Sequence, residues 1–228
     1  MKLKIDFHTH TGEDPQEHVK YFARQLIDKA AQEGYDALAI TNHNLITFSR
    51  NLESYAGGKG ILLIPGVEVT ASNCHVLVIN PQFKPNPKGC SLAELLALKN
   101  EESLFIAPHP FFHFFKSLRS RLYPILPYFD AIEYSIYQNS YLNLNKKAER
   151  TAKFYGKPMV GTSDCHNIWQ FGKTWTFVEG EKNIPSIVSA VKDGKTKVRS
   201  TPISLVMMAR VLFNLITVEK LLRFFDRH

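Results

Sequence analysis

The residues of this chain with the greatest potential for chemistry are its histidines, of which there are nine. His8 and His10 stand two positions apart after an apolar, strand-like segment, and Asp164 and His166 repeat that spacing late in the chain. Because side chains alternate along an extended backbone, both members of each pair point to the same side. Two such pairs, on the first and last strands of a barrel, would meet where the barrel closes.

Further polar residues lie between these two pairs, and each follows or begins an apolar, strand-like run. They are His43 in AITNHN, Glu68 in PGVEVT, His75 in NCHVLVI and His109 in IAPHPF. Imidazole and carboxylate ligands without thiolates favour Zn²⁺, Mn²⁺ or Fe²⁺ over Ca²⁺ or an iron–sulfur cluster. The set exceeds what one tetrahedral ion needs, which predicts two or three divalent ions. Glu68, midway in the motif order, is the candidate bridge between ions.

These side chains need a scaffold that gathers strand ends, and the hydrophobic pattern predicts one. Short β-branched runs alternate with segments of helical period, which is typical of βα units around a parallel sheet. Candidate strands occupy 3–8, 36–41, 61–65, 75–80, 104–108, 131–135 and 158–162, and candidate helices occupy 17–33, 91–100 and 141–155. An extra strand at 173–179, a helix at 184–193 and a terminal helix at 202–225 follow. In an α/β barrel the carboxyl ends of the strands form the active-site rim, where most of these histidines would lie.

The composition is that of an ordinary globular chain, and its 228 residues are enough for one catalytic domain. The formal net charge of +7 is spread along the chain, which suits an anionic substrate but is weak evidence for nucleic acid. Three cysteines without paired spacing, and a start at Met1 without a signal-peptide pattern, predict a reduced, cytoplasmic protein. The apolar stretch 203–218 contains Arg210 and Asn214 and is too short for a transmembrane segment. We expect it to dock on the barrel, to lie at a membrane surface, or to form a homo-oligomer with a second copy.

The ordered motifs resemble those of the PHP domain, named for polymerase and histidinol phosphatase. DFHTH, AITNHN, PGVEVT, CHVLV, APHP and GTSDCH match its motifs in order from Asp6 to His166. Residues 167–198 look like the PHP-associated segment of stand-alone members. The resemblance implies a distorted (β/α)7 TIM-like barrel, a trinuclear metal site and hydrolysis of phosphate esters. On this interpretation residues 1–200 form the PHP domain, and 201–228 form an appended amphipathic helix.

The same resemblance implies three groups of metal ligands, carried over residue by residue. The first ion would be held by His8, His10, Glu68 and Asp164, the second by Glu68, His75 and His109, and the third by His43 and His166 with Asp14 or, in competition, Glu13. Glu68, Asp164 and His166 are also the expected catalytic residues. Many members carry an aspartate where this chain has Asn42, which offers hydrogen bonds without charge.

The expected chemistry is attack on phosphorus by a water that the ions activate, because divalent ions lower the pKa of water and polarise phosphoryl oxygens. No serine or cysteine nucleophile is required. Asp6 shares the strand parity of His8 and is expected to accept a hydrogen bond from a ligating imidazole. Lys116, Arg119 and Lys173 are candidate phosphate contacts, against the simpler interpretation that they are solvated charges.

Two other functions compete with phosphate-ester hydrolysis. Amidohydrolases also begin with HxH and use bridged metals, but they commonly bridge with a carbamylated lysine where this chain offers Glu68 and His75. A non-catalytic binding or regulatory module is disfavoured, since so many polar residues would be costly to bury without metal. The substrate class stays open among phosphorylated small molecules, nucleotides and oligonucleotide ends. The aromatic cluster FFHFF after Pro110 is expected to pack under the rim or to stack a base or sugar.

Overall fold

Apolar, β-branched runs form one nine-stranded sheet in the computed structural model, which describes residues 1–113 and 116–210. The strands are β1 (Lys2–Asp6), β2 (Ala37–Ile40), β3 (Leu62–Ala71), β4 (Cys74–Ile79), β5 (Leu104–Ala107), β6 (Ala131–Tyr134), β7 (Met159–Gly161), β8 (Thr174–Glu179) and β9 (Thr196–Ser200). They are hydrogen-bonded in the order β7-β6-β5-β4-β3-β2-β1-β8-β9. A bridge between Thr9 and Cys165 joins the segments that follow β1 and β7, so the sheet curves into a nearly closed barrel.

The sheet is mixed, whereas the sequence pattern predicted parallel βα units. Strands β1 to β3 and β5 to β7 run parallel, but β4 is antiparallel to both β3 and β5. The cause is a two-residue hairpin turn at Ser72 and Asn73, both of which have positive φ (47° and 59°). Such a turn joins adjacent antiparallel strands without a crossover helix. The predicted α/β fold class is confirmed, with this hairpin as the departure from a regular barrel.

Six α-helices lie wholly within the described residues, a further helical segment occupies 205–210, and local sequence explains most of the helix ends. The six helices are α1 (Ala23–Gln32), α2 (Arg50–Gly58), α3 (Leu92–Ala97), α4 (Leu122–Ile125), α5 (Lys146–Tyr155) and α6 (Ile184–Lys192). The predicted capping box of Ser91 and Glu94 starts α3, and Gly156 ends α5 at a φ of 63°. Helix α2 was not predicted, because it buries only Ala56 and ends in two glycines, which leaves almost no apolar stripe.

Helix α1 begins six positions later than the predicted start at 17, and the reason lies in the preceding loop. Asp14 Oδ1 accepts the backbone N–H groups of Gln16 (2.8 Å) and Glu17 (3.2 Å). The N–H of Gly12 bonds the carbonyl oxygen of Tyr21 at 2.6 Å. These contacts take up backbone groups that a helix would use, and they wrap the loop around the Asp14 carboxylate.

Packing on the sheet explains how the barrel is closed and plugged. Strand residues such as Ile5 and Ile106 form one buried cluster with Ile187 and Val191 of α6. The β8–β9 hairpin covers the gap beside β7, where Thr176 Oγ1 donates to the carbonyl oxygen of Gly161 at 2.8 Å. Helices α1 and α2 cover one outer face of the sheet, and α3 to α5 cover another. The ligand-bearing strand ends are therefore held on a rigid frame.

The start of the predicted C-terminal helix docks on the barrel. Ile203 and Met208 are buried against Phe112 and Tyr137, which lie in the segments after β5 and β6. Leu205, three positions before Met208 and so on the same side of a helix, is 56% exposed. The predicted helix residues beyond 210 lie outside the described residues. Within the described ranges, no helix combines the length and the apolarity that crossing a bilayer requires.

Candidate metal centre

The nine residues predicted as metal ligands come together at one end of the barrel. His8 and His10 follow β1, His43 follows β2, Glu68 and His75 lie in β3 and β4, His109 follows β5, Asp164 and His166 follow β7, and Asp14 lies in the loop before α1. All except His166 are buried, and the His166 side chain is 27% exposed. The cluster is thus closed on most sides and open to solvent near His166.

Glu68 lies at the middle of this cluster, with its two oxygens facing different histidines. Oε1 is 2.9 Å from His75 Nδ1 and 3.0 Å from His109 Nε2. Oε2 lies near three Nε2 atoms, those of His43 (3.1 Å), His8 (3.3 Å) and His10 (3.4 Å). This two-sided arrangement is what a carboxylate shared by two ions requires.

The two-residue pairs of the first and last strands meet where the barrel closes. The N–H of Asp164 donates to the carbonyl oxygen of His8 at 2.9 Å, and the N–H of His10 donates to that of Cys165 at 3.2 Å. As a result, Asp164 Oδ1 lies 3.5 Å from the Nε2 atoms of both His8 and His10. The backbone of one strand end thereby positions the side chains of the other.

Of the two competing acidic residues, Asp14 lies in the cluster and Glu13 does not. Asp14 Oδ2 is 2.9 Å from Nδ1 of both His10 and His43, and it accepts the backbone N–H of His43 at 2.8 Å. The Glu13 carboxylate instead accepts the N–H of Ala23, at the start of α1, at 3.1 and 3.2 Å. Glu13 therefore caps a helix, a favourable position for an anion.

Four groups of side chains could each hold an ion, because in each group the ligand atoms all lie within 4.8 Å of one another. These groups are His8, His10 and Glu68; His43, Glu68 and His75; His10, Asp164 and His166; and His10, Asp14 and His43. The implied third set of Asp14, His43 and His166 is not assembled as one group. The His10 ring lies between, at 4.7 Å from the His43 ring and 4.4 Å from the His166 ring.

Sequence reasoning missed one residue of the centre, Glu133 in β6. Its Oε1 is 2.7 Å from His8 Nδ1 and accepts the Thr162 hydroxyl at 2.6 Å, and Glu133 is completely buried. The predicted partner Asp6 instead accepts the backbone N–H groups of His8 and Ser163. The missed signal was a glutamate inside the apolar strand AIEYS, since a buried carboxylate needs a partner.

Two of the ligand positions have strained backbones. His109 has φ of 66° and Asp164 has φ of 44°, the left-handed region that side chains with a Cβ rarely adopt. The Ser117 hydroxyl donates to the carbonyl oxygen of His109, and the bond from Asp164 to His8 fixes the other position. Such strain persists only where surrounding contacts hold it, and it is frequent at functional sites.

The donor set fits divalent ions on its own chemistry. His75 Nε2 and Asp164 Oδ2 are buried without a hydrogen-bond partner in the described part of the chain. Burial, helped by the neighbouring His43 and His109, lowers the pKa of His75 to about 4, so this imidazole is neutral with a free lone pair. Burial opposes the charge on Glu68, but the histidines around its two oxygens hold its pKa well below its usual range. Despite burial, the neighbouring carboxylates raise the pKa values of His8 and His10 well above the usual histidine value. Binding of divalent ions at these histidines would release their protons, because imidazole binds metal in its neutral form.

The three predicted phosphate contacts lie outside the cluster, and their contact with substrate stays a prediction. Lys116 is exposed, and its carbonyl oxygen accepts the N–H of His75 at 2.7 Å. The Arg119 guanidinium donates to the carbonyl oxygen of His113 at 2.6 Å, so it braces the loop after β5. Lys173 is half-buried directly before β8.

Known proteins resemble this chain in its overall fold and in the sequence of its C-terminal part. Residues 143–196 match the PHP-associated family model. An uncharacterized protein from Methanocaldococcus jannaschii, MJ1587, is 28% identical over 105 residues, which span 45% of this chain and 60% of that protein. The chain therefore matches less than two thirds of that relative's length.

Two solved structures extend the likeness to most of the chain. One is a two-domain protein from Bacteroides vulgatus containing a predicted PHP-like metal-dependent phosphoesterase, with 23% identity, a TM-score of 0.67 and coverage of 94% of this chain and 70% of that one. The other is the lesion-specific endonuclease Q from Pyrococcus furiosus, with 16% identity, a TM-score of 0.61 and coverage of 87% and 58%. The PHP-associated match starts at 143, earlier than the predicted 167. The resemblance is confirmed in two respects: residues 143–196 match the PHP-associated family model, and the chain shares the fold of the PHP-like protein from Bacteroides vulgatus.

Proposed function

We propose that this chain hydrolyses phosphate esters, using two or three divalent ions of zinc, manganese or iron held around Glu68. The observation that carries the proposal is the convergence of nine buried or half-buried histidine and carboxylate side chains from six strand ends and one loop. Burying so many polar and charged side chains together costs free energy unless cations are bound among them. The cost and the strained ligand positions argue against a purely structural module.

The chain's own residues would supply binding and orientation. Bound divalent ions lower the pKa of water and offset charge on phosphoryl oxygens. One oxygen of Glu68 faces His75 and the other faces His8, so this carboxylate would set the separation of ions bound on its two sides. Asp164, which follows β7, faces His8, which follows β1. His166 Nδ1 lies 3.1 Å from the carbonyl oxygen of Asp164, which leaves Nε2 for an ion or a substrate oxygen. His166 also marks the open side, where substrate would enter.

Phosphate rather than amide hydrolysis is favoured by the composition of the centre and the charge of the chain. Glu68 would bridge the ions, and the four ligand groups contain only histidine, aspartate and glutamate. The net charge of +7 favours an anionic substrate. The similarity to a predicted PHP-like phosphoesterase and to an endonuclease supports the same choice. We further propose a phosphorylated small molecule, nucleotide or oligonucleotide end as substrate, in a cytoplasmic protein.

Metal analysis combined with model substrates tests this proposal. Gently purified protein should contain at least two equivalents of metal, by the ligand count above. It should hydrolyse bis(p-nitrophenyl) phosphate or p-nitrophenyl phosphate, lose that activity on chelation, and regain it with Mn²⁺ or Zn²⁺. The anilide p-nitroacetanilide is the control substrate for amide hydrolysis. A chain that cleaves only the anilide, or whose phosphatase activity survives complete metal removal, would not be the enzyme proposed here.

A further inference from the structure

A row of aromatic rings begins on the loop after β5, which carries His109, and becomes increasingly exposed along its length. We call this row the aromatic strip; it consists of Phe111, Tyr123, Tyr155 and Phe154. Ring centroids are 5.9 Å apart for Phe111 and Tyr123, 6.3 Å for Tyr123 and Tyr155, and 4.9 Å for Tyr155 and Phe154. Exposure rises along the strip from 8% at Phe111 to 81% at Phe154. The rings form a continuous series from buried Phe111 to largely exposed Phe154.

The inner end of the strip is tied to the metal centre by the chain itself. Phe111 follows His109 by two positions, on the loop after β5, and its ring packs in the cluster that also contains Val76 of β4. The strip therefore begins two residues after the ligand position His109 and continues to Tyr123 of α4 and to α5.

Positive charge accompanies the rings. Lys147 Nζ lies 4.6 Å from the centroid of the Phe111 ring. Lys147, Arg150 and Phe154 occupy positions i, i+3 and i+7 of α5, so they share one face of the helix, and all three are exposed. Glu149, the acidic residue of α5, falls on the opposite edge by the same helical periodicity. The strip thus combines stacking surfaces with cations and keeps the carboxylate away.

We propose that the aromatic strip binds a single-stranded oligonucleotide whose phosphate is presented to the metal centre, an inference that rests on the proposed function for its catalytic part. Aromatic side chains stack on any base, and lysine and arginine neutralise the backbone, which is how single strands are bound without sequence preference. In a duplex the base faces are stacked on one another and are not available to these rings. A mononucleotide would reach only the inner rings, so several linked nucleotides are needed to engage Phe154.

Ring removal tests the stacking part of the proposal. Binding of a fluorescein-labelled oligothymidylate of about twelve nucleotides to chelator-treated full-length protein is measured by fluorescence anisotropy. Tyr155→Ala should weaken binding roughly tenfold, since one base loses its platform. The matched control is Tyr128→Ala, because Tyr128 is 47% exposed, against 48% for Tyr155, but stands outside these ring pairs. The control should bind like the unaltered protein, and both variants should keep their melting temperature.

Charge removal tests the phosphate contacts. Each phosphate contact to a single strand contributes about 0.7 to the slope of log affinity against log salt concentration. Lys147→Gln should lower that slope by roughly this amount. Lys153→Gln is the matched control, because Lys153 lies on the same helix but towards the Glu149 edge, and it should leave the slope unchanged.

The outcomes separate this inference from the proposed function. Oligothymidylate binding with the expected variant effects, together with bis(p-nitrophenyl) phosphate hydrolysis, supports both. The same binding without any hydrolysis by metal-loaded protein overturns the proposed function and leaves the strip as a nucleic-acid surface. An oligonucleotide that binds no more tightly than thymidine monophosphate, or that Tyr128→Ala weakens as much as Tyr155→Ala, overturns the inference. So does binding to phosphatidylserine vesicles without oligonucleotide binding, which would make the strip a membrane contact.

Discussion

Replacing Glu133 by glutamine isolates the contribution of a carboxylate that orients a ligand without being one. Glu133 Oε1 accepts hydrogen bonds from His8 Nδ1 at 2.7 Å and from the Thr162 hydroxyl at 2.6 Å. A donated proton on Nδ1 leaves His8 Nε2 as the metal-facing nitrogen, which lies 3.3 Å from Glu68. Glutamine keeps the shape and the accepting oxygen, but it removes the charge that favours this tautomer.

The size of the effect follows from the contact. His8 and Glu133 are both completely buried, so their hydrogen bond is charge-assisted and unscreened by water. Such bonds contribute about 1.5–3 kcal/mol, and every ~1.4 kcal/mol is a factor of ten in affinity. Because glutamine still accepts from His8, we expect the lower part of this range. That is about a tenfold weaker affinity for the ion next to His8, in line with other partners of metal-bound histidines.

The assay is competition for Zn²⁺ or Mn²⁺ with a chelating dye, combined with turnover of bis(p-nitrophenyl) phosphate. Asp6→Asn is the matched control, because Asp6 is also a buried carboxylate at this end of the barrel but accepts the backbone N–H groups of His8 and Ser163 and does not hydrogen-bond the His8 ring. It should lower the melting temperature and leave metal affinity near its normal value. Glu133→Gln should instead weaken metal binding while the protein stays folded by circular dichroism.

The two variants together test whether Glu133 orients His8. Normal metal affinity and turnover in Glu133→Gln would show that His8 is oriented by something else. Equal losses in Asp6→Asn and Glu133→Gln would show that both carboxylates act only through general stability.

Three further predictions follow from the geometry. Glu68→Gln should reduce metal content by more than one equivalent and cut turnover by orders of magnitude, because its two oxygens face different histidines, His43 and His75. Asp14→Asn should lower metal content by at most one equivalent. Full metal occupancy in Glu68→Gln would withdraw the bridging role of Glu68. Gly161→Ala should lower the free energy of unfolding by ~1–3 kcal/mol, because the added Cβ would lie 2.6 Å from a backbone oxygen. The control is Gly57→Ala in helix α2, where the added Cβ meets nothing within 4 Å and should be neutral or stabilising. Chemical denaturation measures the free energy of unfolding of both variants. Truncation after Pro202 removes the buried residues of the C-terminal segment and should lower solubility or change the oligomeric state in gel filtration; an equally soluble and stable protein would contradict the docking argument.

Much of the scaffold was accessible from local pattern. All seven predicted barrel strands and the extra strand at 173–179 correspond to observed strands, because their β-branched runs are short, apolar and bounded by polar segments. The β9 strand and helix α2 were missed for the opposite reason, since both have weak apolar alternation or periodicity. The strand β3 was predicted too short, and it continues through Glu68 to pair with β4.

The sequence by itself determined which residue types would stand at the strand ends, and the two-residue spacing of His8 with His10 and of Asp164 with His166. Strand parity is a local property, so the direction of these side chains needs no knowledge of distant contacts. The order of the motifs was also sufficient for the resemblance to the PHP family.

Only the tertiary structure decided which partner each of these side chains meets. His8 is 125 positions from Glu133 along the chain, and no local pattern distinguishes that glutamate from Asp6 as its partner. The choice of Asp14 over Glu13 depends on where α1 begins, because the N–H of Ala23, the first residue of α1, donates a hydrogen bond to the Glu13 carboxylate. The antiparallel direction of β4 and the continuity of the aromatic strip likewise arise when distant segments pack, because burial and hydrogen bonding are satisfied by the whole chain at once.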